Sequence, residues 1–115
     1  MKPVFDVSLH DFEHRVIESS HDGPIMVDFW ADWCPPCKML TPVLERVAKD
    51  GEVRLAKIEV DEDDNMKLAG RYLLRGFPTV ILFRDGKELG RFSSAKPEHW
   101  VRQFLKEMLD NSINS

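Results

Sequence analysis

A three-layer α/β domain, a central mixed β-sheet flanked by helices on both faces, is the fold class this sequence predicts. Three observations carry that expectation. The run Ile25-Met26-Val27-Asp28-Phe29-Trp30 is apolar on both alternating faces with one exception, which marks a strand covered on both sides. A helical pattern separates it from a second strand-like run, Leu55 to Val60, so the pair reads as a βαβ unit with parallel strands and a right-handed crossover. Asp85-Gly86, between strand patterns at Thr79 to Phe83 and Lys87 to Phe92, signals a two-residue hairpin that adds an antiparallel edge.

The remaining elements follow in chain order. Ser8 with Asp11 three residues later resembles a capping box, and Leu9, Phe12, Val16 and Ile17 recur at helical spacing, predicting a first helix over 9–19. Gly23-Pro24 punctuates the chain before the first strand. From Pro36, a residue preorganised for a first helical position, Met39, Leu40, Val43, Leu44 and Val47 trace a second helix, with Pro42 inside it predicting a kink. Met66, Leu68, Ala69 and Tyr72 suggest a short helix over 64–72. The last helix starts at Pro97 and presents Trp100, Val101, Phe104, Leu105 and Met108 on one stripe, with Arg102, Gln103, Lys106 and Glu107 opposite. The polar tail 111–115 is expected to fray.

With 115 residues, 43% of them hydrophobic and 31% charged, the chain fits one soluble globular domain over 1–115, with no linker or internal repeat. Its formal net charge of -4 argues against nucleic acid, whose phosphates need a dense cationic surface. No apolar run is long enough to span a bilayer, and Met1 to Asp6 lead straight into patterned sequence without a signal-peptide core, so the expected address is the cytoplasm.

Only two residues separate Cys34 from Cys37. Closing so small a loop restrains the unfolded chain by only about 2 kcal/mol, against nearly 5 for a loop of about a hundred residues, so the pair is a poor structural staple. The segment Trp33-Cys34-Pro35-Pro36-Cys37-Lys38 lies where a strand gives way to a helix. There Cys34 meets unpaired amides and the positive end of the helix dipole, which favour the nucleophilic thiolate. Cys37 falls one turn further in, near enough to close a disulfide and shielded from solvent. Metal binding is the first alternative, but zinc takes about four ligands, and nothing ties His10, His14, His21 or His99 to the cysteines, so the histidines read as surface residues. A purely structural pair of buried thiols is the second.

Asp28 is the other anomaly. An ionised carboxylate inside Met26 to Trp30 is costly to bury, so its pKa should rise and it could serve Cys37 as general base; the plainer alternative is a wet strand edge. Lys57, on the adjacent strand, could pair with it, although an exposed lysine is the commoner state.

The ordered set Asp28-Phe29-Trp30-Ala31, Trp33-Cys34, Pro36-Cys37-Lys38, Pro42, Ala56-Lys57, Asp61 and Arg75-Gly76-Phe77-Pro78-Thr79 closely resembles the thioredoxin family, over about Val4 to Leu109. The resemblance implies the thioredoxin fold and a thiol-disulfide oxidoreductase that reduces protein disulfides. It makes Pro78 the family's cis-proline beside the disulfide, and Trp33, Gly76, Phe77 and Pro78 the frame of a groove for an extended target chain. It assigns Trp30 to support of the active-site loop, and Asp28 with Lys57 to the family's buried acid-lysine pair. It implies no cofactor bound to the chain, a monomer, and recharging by an NADPH-dependent flavoprotein, thioredoxin reductase.

Two positions depart from the family pattern. Pro35 stands where that pattern has glycine; it fixes one more φ angle and removes an N–H beside the reactive sulfur. Potentials of related dithiol proteins span on the order of 150 mV, so the dipeptide Pro35-Pro36 does not place this chain among them. Ser94 replaces a glycine in the loop lining the groove, a place where partner choice can differ. The competing functions are a disulfide oxidase or isomerase, distinguished by equilibrium with glutathione, and a binding module that grips a partner without turnover.

Overall fold

The computed structural model describes residues 2–114, with five strands in one sheet: β1 Val4–Asp6, β2 Ile25–Trp30, β3 Arg54–Glu59, β4 Thr79–Arg84 and β5 Lys87–Ser93. They lie in the order β1-β3-β2-β4-β5. β3 runs parallel to both β1 and β2, whereas β4 is antiparallel to β2 and to β5. The sheet is therefore mixed, as expected. β1 has no counterpart in the sequence-based expectation: a three-residue strand is too short to show an alternation, and its partner lies some fifty residues away.

Alternation along β2 sends neighbouring residues into two different cores. Ile25, Val27 and Phe29 pack with Phe12, Val16, Ile58, Leu68 and Phe83 on one face. Met26, with Leu55, Val80 and Leu82 of the adjoining strands, packs against Leu40, Leu44, Val101 and Phe104 on the other. Helices α1 Pro35–Ala48 and α3 Glu98–Asn114 cover that second face, and the short α2 Met66–Arg71 contributes Leu68 to the first. Asp28, between Val27 and Phe29, thereby falls on the side of α1.

Most element boundaries shift by one or two residues from those the pattern predicts, and α1 passes through Pro42 without a break. The first helical segment differs in kind. Where the periodicity predicts an α-helix over 9–19, the chain makes one wide π turn, Glu13–Glu18, followed by a 3-10 turn, Ser19–Asp22. Both ends are tied to other parts of the molecule. At the entry Asp11 accepts the Ser8 N–H (2.8 Å), half of the expected capping box, and Asn65 accepts the Leu9 N–H (2.8 Å). At the exit Ser20 accepts the Gly86 N–H on its hydroxyl and the Asp85 N–H on its carbonyl. With Phe12 and Val16 fully buried between these anchors, the wider i→i+5 turn fits the span. At the other end of the chain α3 continues to Asn114, into the stretch from Asn111 whose polarity suggests fraying; Ser115 lies outside the described residues.

Candidate active site

β2 ends at Trp30 and α1 begins at Pro35, which leaves Cys34 as the residue capping the helix. A helix start normally leaves four N–H groups without an intrahelical partner. Here each is accounted for. The Cys34 N–H donates to the Ala31 carbonyl (3.2 Å), Pro35 and Pro36 have none to offer, and the Cys37 N–H donates to Cys34 Sγ (3.3 Å). The reactive sulfur thus meets one amide donor where the sequence pattern leads one to expect several, because both prolines occupy positions that would otherwise present an N–H.

Cys34 and Cys37 are joined by a disulfide, with Cα atoms 5.3 Å apart. Cys37 is fully buried and Cys34 is 4% exposed, so the outer sulfur is the one reached from solvent. Cys34 Sγ lies 3.5 Å from the Phe77 carbonyl oxygen, and the Phe77–Pro78 peptide bond is cis. Pro78 is itself buried; its carbonyl accepts the N–H of Ser94, an exposed residue in the left-handed region (φ 73°). Thr79 ties the same loop down by donating its hydroxyl to the Gly76 carbonyl (2.7 Å). Trp33, 63% exposed, donates its indole N–H to Asp61 and meets the Phe77 ring edge to face at 6.3 Å.

Of the sequence-predicted rim, Trp33, Pro35, Pro36, Gly76 and Ser94 are exposed, while Phe77 is partly covered. A cavity of about 450 Å³ continues past Phe77, bounded by Met66, Leu73, Arg75 and Gly76. Leu73 is 80% exposed and left-handed (φ 57°), an unusual pairing for a branched side chain. A larger cavity, about 510 Å³, is lined by Lys2, Phe5, Arg15 and Arg54 and includes none of the predicted site residues.

Behind the disulfide the environment changes. Asp28 is fully buried, and burial pushes its carboxyl from 3.8 up to about 7. A hydrogen bond from the Thr41 hydroxyl to Oδ2 (2.7 Å) and the charge of Lys57 pull in the opposite direction, while Glu45 adds to the rise. Oδ1 has no hydrogen-bond partner. The wet strand edge considered for this residue does not occur. Lys57 is the in-register neighbour of Asp28 on β3, but its ion pair is with Glu45 of α1 (Nζ to Oε2 3.6 Å) and not with Asp28 itself. The expected acid-lysine pair is therefore a triad, with the lysine shared between an ion-paired glutamate and a buried aspartate. Trp30, which packs at the end of β2, keeps its indole N–H buried and without a partner.

Thr41 and Glu45 are the members of this inner cluster that the sequence reading does not assign. Their signal is present all the same: Thr41 stands four residues after Cys37 and Glu45 four after Thr41, so the three share one face of α1. The four histidines are exposed, and among the described residues no group of three or more His, Cys, Asp or Glu is placed to hold a metal ion. Nor is any helix among them long and apolar enough to cross a membrane.

A cysteine pair at a helix start beside a cis-proline has the parts that disulfide exchange requires: an outer cysteine at the cap that keeps some exposure, a second sulfur one turn behind it, and an edge of backbone against which a substrate can lie. Comparison with known proteins agrees. A family model described as Thioredoxin matches residues 3–107. The chain is 41% identical over 108 residues to thioredoxin of Rickettsia bellii, covering 94% of this chain and 97% of that one. It is 33% identical over 109 residues to thioredoxin 1 of Nostoc sp., covering 95% and 100%. Among solved structures, a mutant thioredoxin from Halobacterium salinarum superposes with a TM-score of 0.79 at 33% identity, over 91% of this chain and 89% of the other. The chain accordingly belongs to the thioredoxin family and is a thiol-disulfide oxidoreductase, a protein-disulfide reductase built on the thioredoxin fold.

Proposed function

We propose that Cys34 is the attacking sulfur and Cys37 the resolving one. The Cys34 thiolate attacks one sulfur of a target disulfide; the target S–S bond breaks, its other sulfur leaves as a thiolate, and a mixed disulfide remains. Asp28 takes the proton of Cys37, whose sulfur then attacks Cys34 Sγ and expels the second target sulfur. The target gains two electrons, and the Cys34–Cys37 pair ends oxidised. What carries the assignment is the order of the two sulfurs: Cys37 is fully enclosed and donates its N–H to Cys34 Sγ, while Cys34 at the helix cap keeps 4% of its surface exposed and lies against the Phe77 carbonyl.

The substrate is a protein whose extended segment lies along Gly76, Phe77 and Pro78, between Trp33 on one side and Ser94 on the other. Pro35 and Pro36 form the lip over which it passes. In this reading the chain carries electrons, as a monomer in the cytoplasm, from an NADPH-dependent thioredoxin reductase to its targets, and needs no cofactor of its own. A reducing compartment suits it, because there the pair can be kept as the dithiol that acts.

Trapping tests the order of attack. Reduced Cys37→Ser should accumulate covalent adducts with disulfide-containing proteins, and Cys34→Ser should not. Equal trapping by both variants would refute the assignment, and equilibrium with glutathione on the oxidising side would favour an oxidase or isomerase instead.

A further inference from the structure

We propose that Thr41 is a positioning residue for the exchange: its hydroxyl holds Oδ2 of Asp28, leaving Oδ1 as the oxygen that receives the proton of Cys37. The inference rests on the reading of Asp28 as the base for Cys37, and it assigns the geometry by which that base works.

Three observations support it. Thr41 follows Cys37 by one helical turn on the same face of α1, so it lies under the resolving cysteine. Its hydroxyl donates to Asp28 Oδ2 at 2.7 Å, while Oδ1 is buried with no partner. A hydroxyl has a single proton, and a neutral carboxyl likewise carries one. With Oδ2 engaged as an acceptor, the proton of a neutral Asp28 resides on Oδ1, and an ionised Asp28 offers Oδ1 as its free acceptor. As Cys37 Sγ attacks Cys34 Sγ, the Cys37 proton passes to Oδ1, the bond from Cys34 to the target sulfur breaks, and the departing thiolate takes a proton from water.

Among the described residues no other side chain supplies Asp28 with a hydrogen bond. From β3 it faces Lys57, whose ion partner is Glu45, and from β4 its in-register neighbour is Val80, which does not titrate. α1 contributes Thr41, Glu45 and the disulfide-bonded Cys37; the residues α3 places in the core on this face, Val101, Phe104 and Leu105, are apolar. Thr41 is also the foremost influence opposing the effect of burial on this carboxyl. Without its donor the charged form loses support, and the base ionises only at higher pH.

The test uses the full chain with Thr41→Val, which keeps the branched shape, and Thr41→Ser, which keeps the hydroxyl; Thr41→Ala stands in should the valine variant fail to fold. The Asp28 carboxyl is titrated by carbon NMR in the oxidised protein, and single-turnover reduction of insulin disulfides is followed against pH. Loss of the hydroxyl should move the carboxyl titration and the acid limb of the rate profile upward together and slow release at pH 7 about tenfold, the worth of one hydrogen bond to a charged group. The serine variant should restore both. An unmoved titration with Thr41→Val, or equal shifts with valine and serine, would overturn the role of Thr41. A parent rate indifferent to Asp28→Asn would instead overturn the reading of Asp28 as base, and the role of Thr41 with it. Formation of the trapped adduct by Cys37→Ser reports on Cys34 alone and should be the same with and without Thr41→Val.

Discussion

Around Cys34 the site is made of backbone and rings: one amide, the Phe77 carbonyl, the cis peptide before Pro78, two prolines and the Trp33 indole. Around Cys37 it is made of polar side chains drawn from three elements: Asp28 of β2, fully buried, and Lys57 of β3 with Thr41 and Glu45 of α1, all three half-buried. The first arrangement presents a surface and holds few charges. The second holds a buried acid whose ionisation costs stability. An exchange site has use for both, since the attacking sulfur must be reached by a macromolecule and the resolving sulfur must lose a proton where water is scarce.

The largest effect that separates the two halves is the pH dependence contributed by Asp28. Its pKa in the folded state, about 7, is raised above the ordinary 3.8. The folded protein therefore binds the proton more tightly than the unfolded chain does; the associated stability is fully present below about pH 3.8 and is lost as pH rises through about 7. Once the carboxyl is charged, the loss amounts to about 4 kcal/mol. Asp28→Asn should remove this slope, so that the difference in urea unfolding free energy between pH 8 and pH 4 changes in favour of pH 8 by about that amount relative to the parent. An unchanged difference would mean that Asp28 ionises normally and that its enclosure has no energetic consequence.

A smaller effect belongs to the outer half. Pro35→Gly returns an N–H to the first helical position and adds a second donor near Cys34 Sγ. A hydrogen bond to a charged sulfur worth about 1.4 kcal/mol would make the pair about 30 mV more oxidising. Equilibration with glutathione measures it; a potential unmoved or shifted the other way would reduce Pro35 to a device for starting the helix.

The same division explains how much could be read from sequence. Trp33, Cys34, Pro35, Pro36 and Cys37 are contiguous, and Gly76, Phe77 and Pro78 form a second short run, so the outer half is written in local strings of residues. β2, α1, β4 and α3 were legible for a related reason: each buries one or two faces at its own period, while the β4–β5 hairpin was announced by the adjacent pair Asp85-Gly86. The inner half depends on register across strands and on helix phase. Asp28 could be singled out as a charge in an apolar run, but the partner of Lys57 could not, because whether its ammonium reaches Asp28 or Glu45 is decided by how α1 lies over β3. The π turn at Glu13–Glu18 escaped for the same reason, since Leu9, Phe12 and Val16 fit an α-helical period while tethers from Asn65 and Ser20 fix the span. β1 escaped because three residues show no alternation and its partner on β3 lies some fifty residues away.

Labelling the two cysteines in competition tests the central claim most directly. The reduced protein is treated at neutral pH with a limiting amount of iodoacetamide, and the modified residue is located by mass spectrometry. The account predicts modification at Cys34 at least about tenfold faster than at Cys37, because thiolate character and access both favour the outer sulfur. Equal labelling, or faster labelling of Cys37, would contradict the division of labour between the two sulfurs on which the mechanism stands.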